Sequence, residues 1–347
     1  MTPEKEKTMI DYLKKVSPGS ALRTVIDDLV RSGLGALIIF DAPELHNQSV
    51  IEGGFRINCR FTPQKLFELC KMDGAIIVSS DLKRILFANV LINPDVSIHT
   101  TETGTRHKAA ERSAKQASTF AIAVSERRKK TTLYHNQSRY FLKSSDELLR
   151  NLSSTLQVLE KHREAFDQIL GDLNVLEMSE LVSVSDACQV IQRAEMILKI
   201  SESVKRDFTE LGKEGNIMRT RYRELIRNVE KRESEILRDY SNLTLKRTKT
   251  LLSNLSYDGI LDLESLARLI MEKTPEENIS PRGYRFLSHL TLSDKEISLI
   301  VNEFGSIAQV LGSESADLEP ILKNRAASIR EEITHLREQI LNGKVVC

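Results

Sequence analysis

The sequence predicts an α/β N-terminal domain, a mixed sheet with flanking helices, followed by an all-α spine and a helical C-terminal domain. Three observations carry this. Short apolar runs alternate with helix-period segments as far as about residue 143. From Ser144 the character changes: Leu148, Leu152, Leu156, Leu159, Phe166, Leu170 and Leu173 recur at steps of three, four or seven with charge between them, the pattern of a bundle helix. Pro281-Arg282-Gly283-Tyr284 then opens a compact helical C-terminus. The boundaries expected are 1–143, 144–280 and 281–347.

Each element follows from local signals. Ile10, Leu13 and Val16, then Leu22, Val25, Ile26 and Leu29, make residues 3–33 helical, divided at Pro18-Gly19. Gly35 to Phe40, ending at Asp41, is a continuous apolar run suited to a buried strand. Gly53-Gly54 precedes a strand from Phe55 to Phe61. Thr62-Pro63 supplies a cap and a first helical residue for a helix that turns Leu66, Phe67, Leu69 and Cys70 toward a core. Ala75 to Val78 and Ile85 to Ile92 pair across the turn at Ser80-Asp81, and Asn93-Pro94-Asp95 ends the second of them. A helix from Thr103-Gly104-Thr105 to about Gln116 leads to strands at Phe120 to Val124, Thr131 to Tyr134 and Tyr140 to Leu142. In the spine, Ser183 or Ser185 caps a second helix, Gly212 and Gly215 break it, and a third long charged helix runs to about Tyr240. Residues 241–280 read as short helices between polar loops, and Leu322, Ile329, Ile333 and Leu336 as the C-terminal core.

Composition narrows the function. With 347 residues, 40% hydrophobic and 29% charged, the chain has enough apolar content for packed cores in two or three domains. Trp is absent and aromatics are 5%, which leaves little for base stacking. A net charge of +1 gives no global attraction to polyanions, so any such affinity is local. Cys59, Cys70, Cys188 and Cys347 show no metal-ligand spacing and read as reduced thiols without zinc. The charged stretch Met1 to Lys7 lacks a signal-peptide core, and no apolar run approaches the roughly 18 residues of a membrane span. The expected location is cytoplasmic, with no membrane partner.

Chemistry concentrates between Met72 and Arg128. Asp73-Gly74-Ala75 sets a carboxylate at the mouth of a strand, where open α/β sheets present ligand-binding groups. Such a carboxylate can hold a divalent metal or draw a proton from a hydroxyl, and Asp-Gly is also a common structural turn. Thr103-Gly104-Thr105-Arg106 opens a helix whose free amides can accept a phosphate, with hydroxyls and cations beside them. From Gly104 to Lys130 eight cations oppose two anions, a local net of +6, which suits an anion site or a solvated basic face. His107 can face a core, support its neighbours by hydrogen bonding, or donate to phosphate. Support is the favoured role, because Arg106 and Lys108 already supply charge. Gly53-Gly54 either lets a backbone approach a ligand or turns the chain.

Lys71-Met72-Asp73-Gly74-Ala75 together with Glu102-Thr103-Gly104-Thr105-Arg106-His107-Lys108-Ala109-Ala110-Glu111-Arg112 resembles the DisA-type diadenylate cyclases, the family of DNA-integrity scanning proteins. The likeness extends in the same order through Pro18-Gly19, Gly53-Gly54-Phe55, Ala88-Asn89-Val90, Ser125-Glu126-Arg127-Arg128, Leu176-Glu177 and Pro281-Arg282-Gly283-Tyr284, nearly the whole chain. It implies a cyclase domain that condenses two ATP into cyclic di-AMP and two pyrophosphates with Mg²⁺ or Mn²⁺. Two such domains would face each other in an octamer held by the spine. It further implies Asp73, Gly74, Ala75, Arg106, His107 and Lys108 as the catalytic motifs, with Asp73 at the metal. Gly53, Gly54, Ile92, Thr103, Gly104, Thr105, Ser125, Arg127 and Arg128 would hold ATP and its phosphates.

Two departures stand out. The third residue of the family's Arg-His-Arg motif is Lys108, which keeps the charge and loses the two-pronged contact. The family's C-terminus carries tandem helix-hairpin-helix elements that bind branched DNA through a Gly-x-Gly turn. This chain reads Leu318-Glu319-Pro320-Ile321-Leu322-Lys323-Asn324-Arg325-Ala326 there, with no glycine, so the second hairpin is degenerate. Pro281 to Cys347 holds eight cations and nine anions, and net positive charge supplies most nonspecific DNA affinity. DNA affinity is therefore expected to be weakened and confined to Arg282, Arg285, Lys323 and Arg325. The competing reading from another class is a DNA-junction or structural scaffold with a weak or inactive ATP site.

Overall fold

The computed structural model describes residue 9, residues 11–47 and residues 49–343. The start of the helix expected over 3–33 (residues 3–8 and Ile10), the charged stretch Met1 to Lys7 and Cys347 lie outside the described residues. The chain divides into two compact units, Met1–Ser153 with Lys205–Arg219, and Ser154–Val204 with Thr220–Cys347.

In the first unit, residues 11–15 are helical and Ser20 caps α1 (Ala21–Arg31), its hydroxyl accepting from the Arg23 amide at 3.2 Å. There follow β1 (Ala36–Phe40), α2 (Pro43–Asn47), β2 (Ile51–Glu52), β3 (Phe55–Arg60) and α3 (Pro63–Leu69). Helix α3 starts as expected, with the Thr62 hydroxyl accepting from the Lys65 amide and Pro63 in the first turn. Then come β4 (Ala75–Val78), β5 (Arg84–Ile92), α4 (Thr105–Gln116), β6 (Phe120–Ser125), β7 (Lys130–His135) and β8 (Ser138–Leu142). The sheet order is β2–β5–β4–β1–β6–β7–β8, with β3 also paired to β5. Among the described residues β1 and β4 are the one parallel pair; the other neighbours run antiparallel.

Helices cover both sheet faces, which is why β1 and β4 are buried throughout and read as unbroken apolar runs. On one face Ile38, Phe40, Ile76, Val78, Phe120 and Ile122 pack with Leu22, Val25, Ile26 and Leu29 of α1 and Leu66 of α3. On the other, Leu37, Ile39, Ala75, Ile77, Ala121 and Ala123 pack with Ala110 and Ala114 of α4. Alanine on both sides of that second layer lets the α4 backbone lie close to the sheet.

The helical part continues with α5 (Ser145–Met178), α6 (Val184–Leu211), a 3₁₀ turn (Gly212–Gly215), α7 (Asn216–Leu225), α8 (Val229–Tyr240), α9 (Leu245–Asn254), α10 (Tyr257–Leu261) and α11 (Leu263–Met271). Helix α6 is capped by Ser183, whose hydroxyl accepts from the Asp186 amide while the Asp186 carboxylate accepts from Ser183. The single long helix expected up to Tyr240 is two helices. The chain turns before Val229 with Asn228 at φ 62, a left-handed conformation that asparagine tolerates and that no Gly or Pro announced.

The C-terminus forms α12 (Tyr284–Leu287), α13 (Asp294–Phe304), α14 (Ile307–Gly312), α15 (Ser315–Leu322), a 3₁₀ turn (Lys323–Arg325) and α16 (Ala326–Leu341). Its core contains Leu322, Ile329, Ile333 and Leu336, as read from the sequence, together with Phe286, Ile300 and Val310. Among the described residues no helix is long and apolar enough to cross a membrane, and Cys59, Cys70 and Cys188 are free thiols.

Candidate functional site

Strand register draws the motifs to one end of the sheet. Ala75 pairs with Leu37 on one side and with Val90 on the other, and Leu37 pairs with Ala123. Two residues further out along each strand lie Asp73, Gly35, Ile92 and Ser125, with Ser125 paired to Lys130 and Ile92 to Ile51. Strands sit about 4.8 Å apart, so the Asp73 and Ser125 backbones, two strands apart, are separated by about 10 Å. This end comprises the amino ends of β1 and β4 and the carboxyl ends of β5 and β6. Asp73 lies just before the amino end of β4, and the antiparallel neighbours bring carboxyl ends to meet its carboxylate.

The Asp73 turn is shaped by a bulge. The ladder between β4 and β5 shifts register between Ala75 and Ile77, and Asn89 opposite adopts φ 54. Gly74, at φ +84, lies so close that a Cβ there would meet Val90 O at 2.8 Å and the Asn89 carbonyl carbon at 2.9 Å. On the other edge of β5, Gly54 at φ +81 would meet Ala88 O at 2.8 Å and Asn89 O at 3.1 Å. Two glycines thus clasp one bulged residue, and only glycine fits either place. Gly53, at φ +64, turns the chain from β2 to β3 in open space. Asp73 and Gly74 are exposed, while Ala75 and Ile92 are buried in the sheet.

Helix α4 supplies the facing side. Gly104 is its N-cap and makes no side-chain capping bond, so nothing of its own covers the first-turn amides; Thr103 and Thr105 are exposed beside it. The Arg106 guanidinium reaches back over Gly35, where a Cβ would come within 2.4 Å of its Nη1 and 3.3 Å of Glu126 Cβ. Gly35, unremarked in sequence except as a strand start, is the space that admits Arg106. Ser125 organises the β6–β7 turn: its hydroxyl accepts from the Arg128 amide at 3.2 Å and its carbonyl from the Lys129 amide at 2.9 Å. Arg127 and Arg128 are exposed on that turn. Lys108 is exposed on α4, its amide bonded to Gly104 O at 2.9 Å.

His107 is a supported, neutral imidazole. Its ring stands edge-on to Tyr134 at 6.4 Å. Burial holds its pKa below the ordinary value; Glu102 opposes that shift, and Arg128 and Arg106 reinforce it. Glu102 is the anchor that residue type alone did not single out. Its carboxylate accepts from the Tyr134 hydroxyl at 2.9 Å and from Arg139 Nη1 at 2.8 Å. Its amide donates to Thr100 Oγ1 at 3.1 Å.

Not every cation of the basic stretch faces this site. Arg112 spends its guanidinium on the carbonyls of Ile98 and Val96, at 2.9 and 3.0 Å, and Lys115 bonds His99 O at 2.8 Å and Glu111 at 2.7 Å. These two staple the loop before α4. Lys129 and Lys130 line a recess beside α1, which leaves Arg106, Lys108, Arg127 and Arg128 around the site.

The residues nominated for DNA are also sorted. Arg285 is 3% exposed, paired with Glu177 and bonded to Asn174, so it offers nothing to a ligand. Arg282 bonds the carbonyls of Arg238 and Ser241 at 2.8 and 2.9 Å. Their shared neighbour Asp239 accepts from the amides of Gly283, Tyr284 and Arg285 at 2.9, 2.6 and 3.0 Å. The Pro281 to Tyr284 and Leu176-Glu177 segments meet in this buried network. Both arginines are corrected to structural members of the helical unit. Arg325 bonds Glu296 at 3.0 Å and the Thr291 carbonyl, which leaves Lys323 exposed at the turn.

Residues 23–139 match the nucleotide-binding region of the DisA bacterial checkpoint controller, and residues 142–278 match its linker region. The DNA integrity scanning protein DisA of Clostridium kluyveri is 36% identical over 98% of this chain and 99% of its own length. The chain belongs to the DisA family. Relatives of the same name in Acetivibrio thermocellus and Symbiobacterium thermophilum are 36% and 37% identical, over 97% and 94% of this chain and 96% and 95% of theirs. A solved structure of DacA from Staphylococcus aureus is 22% identical, with a TM-score of 0.30 over 41% of this chain and 90% of that one. Family membership covers both units, so the sheet-end row lies within the DisA nucleotide-binding region and the buried Glu177 network spans from the linker into the C-terminal helices.

Proposed function

We propose that this protein is a diadenylate cyclase, which condenses two ATP into cyclic di-AMP with release of two pyrophosphates. The observation that carries the reading is the row at the sheet end: the exposed Asp73 carboxylate on one side and Arg106, Arg127 and Arg128 on the other, around uncovered helix amides. A triphosphate laid across that row meets N–H donors and guanidinium groups, and its sugar hydroxyl comes to a carboxylate. One chain presents one such set, whereas the product needs two nucleotides. The reaction therefore calls for two cyclase domains face to face, each holding one ATP, within an oligomer that the family resemblance makes an octamer.

In the step itself, the 3′-hydroxyl oxygen of one ATP bonds to the α-phosphorus of the other, the bond to the β-phosphate oxygen breaks, and pyrophosphate leaves with the electron pair. Asp73 receives or orients the hydroxyl proton. Arg106, Arg127 and Arg128, with the Thr105 and Ser125 hydroxyls, hold the phosphates and the developing charge on pyrophosphate. Neutral His107, edge-on to Tyr134, adds no further charge beside Arg106. Lone exposed Asp73 fits Mg²⁺ or Mn²⁺, because such ions are commonly bound by one or two carboxylates with the remaining positions taken by substrate phosphates and water. When bound, the ion supplies charge neutralisation at the phosphates. Branched DNA, if it down-regulates the enzyme, acts through the α15–α16 turn, where Lys323 and Arg325 are exposed and Arg325 is already bonded to Glu296.

The test is product analysis by chromatography and mass spectrometry after incubation with ATP and Mg²⁺ or Mn²⁺, with and without a four-way DNA junction. Cyclic di-AMP is expected in both samples. Asp73→Asn should lower the rate by roughly 10²- to 10⁴-fold while leaving the circular dichroism spectrum and oligomer size unchanged. Unaltered turnover in that variant would remove Asp73 from the chemistry, and no product from the wild type would favour a scaffold role.

A further inference from the structure

The sheet face opposite α4 carries a second cationic recess that the cyclase reading leaves unused. It is a pocket of about 270 Å³ between α1 and the β7–β8 hairpin, lined among others by Arg23, Lys129, Lys130, Thr131, Phe141 and Lys143. Two of these side chains are buried with a polar atom that has no partner. Arg23, 2% exposed, gives Nε to Asp27 and Nη2 to Lys143 O at 2.8 Å, yet among the described residues its Nη1 has no hydrogen-bond partner. Thr131, 3% exposed, has an equally unpartnered Oγ1. A buried guanidinium nitrogen without an acceptor is disfavoured, and such a group calls for a missing ion or water. The recess has two carboxylates, Asp27 and Glu147, against four cations. Asp27 is engaged by Arg23, Lys143 is paired with Asp207 at 2.8 Å, and buried Glu210 faces both Arg23 and Lys143, so the exposed Lys129 and Lys130 at the rim, opposed by Glu147, carry the positive charge that remains.

We propose that this recess is an oxyanion site, taking a small phosphoryl anion such as orthophosphate or pyrophosphate, with Arg23 Nη1 and Thr131 Oγ1 as its inner donors and Lys130 at its mouth. A phosphate oxygen is an acceptor for both orphaned groups at once and matches the charge left over. The site is separate from the sheet-end row. It adjoins that row through sequence, since Lys129 and Lys130 directly follow Arg128 in the same turn, and an occupant would stiffen the turn that carries Arg127 and Arg128.

Isothermal titration of the full chain with sodium phosphate, and separately with pyrophosphate, at constant ionic strength tests this without reference to catalysis. Thr131→Val, which keeps the shape and removes one donor, and Lys130→Gln, which changes an exposed side chain, should each weaken binding about tenfold. An Arg127→Ala/Arg128→Ala variant, which strips the other cation cluster, should bind phosphate within twofold of wild type. In the Arg127→Ala/Arg128→Ala variant, a stronger response to pyrophosphate than to phosphate would identify the larger anion as the occupant of the recess, and the reverse would identify the smaller; either supports the site. Absence of binding to the wild type would mean that water alone satisfies Arg23. Binding lost in the arginine variant and retained in Thr131→Val would place the anion at the sheet-end row. Either result overturns the proposal.

Discussion

At the residue scale the site depends on what surrounds each charged group. His107 shows this best. Burial and the adjacent arginines depress its pKa below the ordinary 6.5, so the folded state prefers the neutral ring. For a depressed histidine the favourable contribution is present above 6.5 and is lost as pH falls below it. Activity should therefore be level from neutral to mildly alkaline pH and decline in acid, where protonation would set a further cation beside Arg106 and Arg128. A pH–rate profile of wild type against His107→Gln checks this: the acid limb should flatten in the variant. Persistence of the same limb would assign it to another group. His107, Arg106 and Asp73 were nominated from sequence because their motif spacing is distinctive. Glu102 was quoted within that motif but its role was not, because an acidic residue before a helix cap is ordinary until Tyr134 and Arg139 are seen to close on it.

At the scale of elements the sheet was readable and the spine less so. Unbroken apolar runs betrayed β1, β4 and β6, and Thr62-Pro63 betrayed α3. Strand β2 has two residues and no pattern of its own, and the bulge at Asn89 has no signature except the glycines that clasp it. Placing a methyl at Gly74 should cost about 1–2 kcal/mol for the left-handed backbone, with more from the 2.8 Å approach to Val90 O. Gly74→Ala should thus lower the melting temperature, displace Asp73 and reduce turnover. Thermal unfolding and rate measurements on the same sample would show both, and a variant with unchanged rate would mean that the turn's geometry is immaterial. The converse case is Lys323, held at φ 52 and ψ −127 between α15 and α16. Glycine there is unstrained, so Lys323→Gly should stabilise the protein by about 1 kcal/mol. A lower melting temperature would show that the lysine side chain contributes more than its backbone loses.

At the scale of the molecule, family membership spans the whole chain, yet the helical unit stores its charge differently from the sheet domain. Glu233 on α8 is 1% exposed and Glu195 on α6 is 7% exposed. Burial, then the charge of Glu195, pushes Glu233 up to about 9, and burial raises Glu195 as well. The two carboxyls share a proton. A raised acid contributes fully below its ordinary value of 4.5, and the contribution is lost as pH climbs toward about 9. Glu233→Gln imitates the protonated form, so it should melt higher than wild type at pH 8–9, by roughly 2–4 °C per kcal/mol gained, and converge with it near pH 5. Parallel curves across that range would exclude the pair as the source of alkaline weakness. Sequence could not disclose this pairing, since the two residues lie on different helices and each looks like a solvated position in its own helix. The same blindness misassigned Arg282 and Arg285, whose partners Glu177, Arg238 and Ser241 come from other helices.

The order of the sheet has a consequence for synthesis. Gly35, Asp73 and Ile92 are brought level by β1, β4 and β5, but Ser125 joins them only when β6, made after all the others in that row, inserts beside β1, made first. Contacts between such distant stretches of chain form late and carry a large loop-closure penalty. A nascent chain that ends before β6 owns Asp73 but has neither the Ser125 turn nor its arginines. The row is thus completed in a single step, when the last of its strands closes beside β1.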